Sequence, residues 1–87
     1  MAIRVEFSIL SLGEEMSTSK LLIPAINELK KRGLNYNITT KSTIFETENI
    51  EEAYKIIKAA HEAVFRDSGK RLVTTIKSII KAIKKET

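Results

Sequence analysis

The sequence predicts an α+β domain whose elements run strand, helix, strand, strand, helix, strand. Three observations carry that prediction. The segment IRVEFSIL at 3–10 alternates apolar and polar side chains, the period of a half-buried strand. Two longer segments, 16–32 and 49–67, repeat apolar residues at the spacing of a helix with one buried stripe. Between them, two further alternating segments are joined only by Lys41 and Ser42, a link short enough to imply an antiparallel hairpin.

Each element has a local cause. In the first strand Ile3, Val5, Phe7 and Ile9 share one face, and Arg4, Glu6 and Ser8 the other. Leu10 and Leu12 make that second face more apolar, and Gly13, Glu14 and Glu15 suit a loop. The first helix is expected over 16–32, where Ser17, Thr18 and Ser19 offer hydroxyls to its first free amides. Leu22, Ala25, Ile26 and Leu29 form its stripe. Pro24 lacks the amide for one early hydrogen bond, so a slight bend is expected, not a break. Lys30, Lys31 and Arg32 suit the negative end of the helix dipole, and Gly33 is a natural left-handed stop.

The second strand is expected over 34–40, with Leu34, Tyr36 and Ile38 alternating with Asn35, Asn37 and Thr39. The third is TIFETE at 43–48. Asn49 caps the second helix, and Glu51 and Glu52 favour its first turn. Ala53, Ile57, Ala60 and Val64 mark its buried face, flanked by Ile56 and Tyr54, and Ser68 and Gly69 end it. RLVTTIK at 71–77 is β-branched and strand-like. Ile76, Ile79, Ile80 and Ile83 then fall at helical spacing, so a short amphipathic helix is expected to close the chain.

This order is the ferredoxin-like βαββαβ arrangement, read as a single domain over 1–87 with its core at 3–77 and a basic tail at 78–87. Right-handed crossovers place both long helices on one face of a four-stranded antiparallel sheet. The other face stays bare unless the tail or a second copy covers it. A chain of this size buries only about 60–65% of its unfolded surface. Oligomerisation is therefore a reasonable expectation.

Composition removes several classes of chemistry. There is no cysteine, which excludes disulfides, thiol catalysis and cysteine-bound clusters, and a reducing cytoplasmic setting is the default expectation. One histidine excludes a histidine-rich metal site within one chain. No apolar run approaches the roughly 18 residues that span a membrane. The net charge of +4 is unevenly placed: residues 1–69 hold nine basic and ten acidic side chains, residues 70–87 six basic and one acidic. The basic end reads first as a solvated face. No glycine-rich phosphate loop, GxSxG or HExxH sequence is present, and no nucleophile–base pair can be named, so no catalytic residue is expected.

The candidate residues are few. His61 lies near the buried stripe of the second helix and is read as a boundary histidine bonded to backbone or carboxylate. Glu46 sits in mid-strand, where acidic residues are depleted. If its face is covered, it needs a donor to offset lost hydration, and an aminopyrimidine or a cationic ligand supplies one. Thr43, Ser8 and Thr74 or Thr75 offer neutral hydrogen bonds, and Phe45, Phe7 and Tyr36 are possible stacking surfaces whose simplest role is core packing. RNA readers on this fold need aromatics in a basic strand segment, whereas TIFETE sets its aromatic beside acid and RLVTTIK has none, which argues against nucleic acid.

The stretches VEFSILSLG, Ser17-Thr18-Ser19, STIFETE and especially AAHEAVFRDSGKRLVTTIK resemble the small thiamine-binding, YkoF-like family over residues 3–77. The ending SIIKAIKKET departs from the family pattern. The resemblance implies a ferredoxin-like fold, dimers and tetramers joined through their sheets, and binding of thiamine or its pyrimidine part without turnover. Carried onto this sequence, it implies Thr43 and Glu46 as the strand signature, with Ser8 and the Ser19 hydroxyl as weaker transfers. The resulting expectation is a non-catalytic, homo-oligomeric small-molecule-binding protein, with an assembly or regulatory module lacking a small ligand as the alternative. Thiamine is then a bound ligand; no cofactor or metal is expected.

Overall fold

The computed structural model describes residues 2–12, 19–68 and 71–82, with the backbone alone for Ser19, Lys81 and Ala82. Its elements are β1 (Ala2–Ser11), α1 (Ser19–Lys31), β2 (Tyr36–Ile38), β3 (Thr43–Thr47), α2 (Ile50–Ser68) and β4 (Leu72–Ala82). The strands form one antiparallel sheet in the order β2-β3-β1-β4, the βαββαβ arrangement expected from the sequence. Both helices lie on one face.

Alternation in β1 sets that face. Ile3, Val5, Phe7, Ile9 and Ser11 are buried, and Arg4, Glu6, Ser8 and Leu10 turn the other way. Register carries the parity across the sheet: Val5 stands opposite Phe45, and Phe7 opposite Thr43. The Phe7 and Phe45 rings meet edge to face, 5.7 Å apart at 77°, an arrangement that suits the aromatic quadrupole. Above them pack Leu22, Ala25 and Leu29 of α1, with Ala53, Ile56, Ile57, Ala60 and Val64 of α2. Each large aliphatic or aromatic side chain removed from water here contributes about 1.5–3 kcal/mol before entropy is counted.

The helix ends follow the local chemistry. Asn49 Oδ1 accepts from the Glu52 amide at 2.8 Å, a side-chain cap for α2. At the far end of α1, Gly33 has φ of +69°, its amide reaches the Lys30 carbonyl, and the Leu34 amide reaches Leu29. Those two bonds form a Schellman stop, and glycine adopts the left-handed backbone it needs without strain. Pro24 sits inside α1, as expected. Ser17, Thr18 and the Gly13-Glu14-Glu15 loop fall outside the described residues.

The tail expectation is corrected over 78–82. These residues continue β4 and form no helix; 83–87 lie outside the described residues. The cause is a β-bulge. The β1–β4 register slips between Glu6 and Phe7, which pair with Ser78 and Ile76 and leave Lys77 as the extra residue. Ile76 and Ile79 therefore share the helix-covered face although three residues apart, a spacing that imitates a helix. The second strand is also shorter than expected, three residues instead of seven.

Candidate functional site

The uncovered sheet face holds the candidate site, because no described element packs on it. Parity assigns to it Arg4, Glu6, Ser8 and Leu10 from β1, and Ile44 and Glu46 from β3. Register adds Asn37 from β2, and Val73, Thr75, Ser78 and Ile80 from β4. Its margins are apolar and open: Val73 is 42% exposed and Ile80 52%. On a sheet face these are the side chains a covering partner would meet.

A hollow of about 220 Å³ lies where β2, β3 and β1 adjoin, lined by Arg4, Asn35, Asn37 and Glu46 together with Tyr36, Ile44 and Phe45. Three backbone facts build it. The Glu46 amide donates to the Asn35 carbonyl at 3.1 Å, which holds the start of β2 against β3. Asn37 stands opposite Ile44. Arg4 stands opposite Glu46. Such partners ordinarily have Cβ atoms about 5 Å apart, close enough for charges to meet. No ion pair joins these two, and among the described residues neither is paired elsewhere. A guanidinium, a carboxylate and two amides therefore face one small concavity with donors and acceptors to spare.

Nearer the centre of the face a second polar group is already satisfied. Ser42 Oγ donates to Glu6 Oε2 at 2.6 Å, and Lys77 Nζ reaches the Lys41 carbonyl at 2.9 Å. The bulge residue thus contacts the β2–β3 turn, while Glu6 is held by that turn's hydroxyl. Thr39 tightens the same turn, its Oγ1 accepting from the Ser42 amide at 3.0 Å.

The structure separates the residues named from sequence. Glu46 is on the open face and exposed, and Ser8 is half-buried there beside Thr75. Thr43 and Phe45 are buried on the helix-covered face, so their side chains share no surface with the Glu46 carboxylate. The cause is parity: positions an odd number apart on a regular strand point to opposite faces. Phe7 is likewise core. Tyr36, opposite Phe45, is half-buried. The Ser19 side chain lies outside the described residues. His61 meets Thr74 through its Nδ1, joining α2 to β4 by a hydroxyl where backbone or carboxylate was expected. Sequence reasoning missed Arg4, Asn35 and Asn37 as site residues. The signal available was that Arg4 and Glu46 each sit at the polar phase of an alternating strand; only the hairpin register could bring them together.

Known proteins are similar to this chain throughout. A family model described as "Thiamine-binding protein" matches residues 5–87. A "UPF0045 protein" of Methanothermobacter thermautotrophicus is 36% identical over 76 residues, covering 86% of this chain and 77% of the relative. A hypothetical protein of Methanocaldococcus jannascii superposes with a TM-score of 0.76 at 33% identity, covering 98% of this chain and 84% of that one. A Thermotoga maritima protein provisionally assigned to thiamine biosynthesis or salvage shares the fold, with a TM-score of 0.75 at 18% identity over 94% of this chain and 85% of its own. On the strength of the family match and of the Methanothermobacter relative, the chain belongs to the thiamine-binding protein family.

Proposed function

We propose that the chain is a non-catalytic, homo-oligomeric binder of thiamine or a related aminopyrimidine, and that the open-face hollow receives the pyrimidine ring. The carrying observation is the lining: Glu46 with Asn35 and Asn37 around about 220 Å³. Pockets for whole drug-sized ligands usually run from about 300 Å³, so this hollow suits a single substituted ring. The Glu46 carboxylate accepts from the exocyclic amine, and the asparagine amides complement ring nitrogens by donating and the amine by accepting. Ile44 offers the ring an apolar contact.

In one copy the hollow is open to water, which weakens each polar contact. A second copy laid on the face would exclude that water and strengthen them. Exposed Val73 and Ile80 on the same face support such a covering. Isothermal titration with thiamine should give saturable heat, weakened several-fold or more by Glu46→Gln. No heat at millimolar thiamine removes the reading.

The same two exposed side chains favour one other reading, an assembly or regulatory module without a small ligand. Both readings predict an oligomer by light scattering. Only the first predicts a melting temperature that rises with ligand concentration.

A further inference from the structure

We propose that Arg4 makes the hollow selective for a phosphorylated ligand, an aminopyrimidine or thiamine carried as its phosphate ester; this rests on the reading that the hollow binds the pyrimidine. The argument begins with an ion pair that does not form. Arg4 and Glu46 are register partners, yet no ion pair joins them. On the other side of Arg4 stands Ile80, which offers no charge. Two positions along β1 the nearest acid on the same face, Glu6, has a carboxylate oxygen accepting from Ser42. Arg4 thus brings to the hollow a guanidinium that no described carboxylate holds.

A guanidinium presents a planar fork of donors that matches two phosphate oxygens at once. A ligand that is cationic throughout satisfies Glu46 but is repelled by Arg4. A ligand that is anionic throughout has the opposite conflict. An aminopyrimidine phosphate answers both, with its amine toward Glu46 and its ester toward Arg4. As register partners the two residues have Cβ atoms about 5 Å apart, and both line the same hollow.

The test is titration of wild type, Arg4→Gln and Glu46→Gln with 4-amino-5-hydroxymethyl-2-methylpyrimidine, its monophosphate, thiamine and thiamine monophosphate. Wild type should bind each ester about tenfold tighter than the parent alcohol, because the ester adds a charge-assisted, bidentate hydrogen bond. Arg4→Gln should erase that preference. Glu46→Gln should weaken esters and alcohols in parallel. Equal binding of ester and alcohol by wild type overturns the proposal and leaves pyrimidine binding standing. So does a preference that survives in Arg4→Gln. Equal weakening of both forms by Arg4→Gln makes the residue a ring-packing contact and also overturns it. Failure of all four compounds to bind wild type removes both this proposal and the pyrimidine site beneath it. Circular dichroism of both variants confirms that a lost heat is not a lost fold.

Discussion

Ser42 Oγ donates to the Glu6 carboxylate at 2.6 Å, fastening the β2–β3 turn to the central strand across 36 positions of sequence. Hydrogen bonds to charged groups contribute about 1.5–3 kcal/mol when buried, and less where water competes. Ser42→Ala should therefore lower stability by about 1 kcal/mol in urea denaturation. Glu6→Gln keeps an acceptor and should cost less. Equal stability of Ser42→Ala and wild type would show that the bond to Glu6 adds nothing to what Thr39 and Lys77 supply to the turn.

Gly33 is the second place where one residue decides a connection. Its φ of +69° is left-handed, and nothing lies within 4 Å of where a Cβ would stand. Gly33→Ala should thus be destabilising through backbone strain and not through a clash, by about 1–2 kcal/mol. Gly33→Asn should recover part of that, because asparagine tolerates this backbone better. Thermal melts of the pair against wild type give the order.

His61 and Thr74 join α2 to β4 across the edge of the core. A double-mutant cycle with His61→Ala and Thr74→Val should show a coupling of about 0.5–1.5 kcal/mol. Additive losses would mean that each side chain acts through packing alone.

Phe45 and Glu46 are neighbours in sequence with opposite duties. Phe45 is fully buried against Phe7, and Phe45→Ala should cost about 3–5 kcal/mol, enough to unfold much of a small domain. Glu46 is exposed, and Glu46→Gln should move stability by no more than about 0.5 kcal/mol. Thr43→Val, on the buried face, should leave the heat of thiamine titration unchanged. Loss of that heat in a folded Thr43→Val protein would move the ligand to the other side of the sheet.

The alternations of β1, β2 and β3 and the two amphipathic helices were legible because each follows a local period. The Asn49 cap and the Gly33 stop were legible for the same reason, since side-chain oxygen and glycine act on the adjacent backbone. Arg4 was not legible as a partner of Glu46, because 42 residues separate them and only the β1–β3 register sets them side by side. Thr43, implied by the family resemblance, and Phe45, read as a possible stacking surface, have their side chains on the helix-covered face, because a strand sends alternate side chains apart. Residues 78–82 were misread through Ile76, Ile79 and Ile80, whose spacing reflects an extra residue in a strand and not a helical turn.

Lys77 is the residue that the β1–β4 ladder can lose without turning any neighbour over. Without it, Ile76, Ser78 and Ile79 would stand in regular succession opposite Phe7, Glu6 and Val5, each on the face it now occupies. The odd residue is slack that the bulge takes up, and what it adds is its ammonium, which reaches the Lys41 carbonyl in the turn that steadies Glu6.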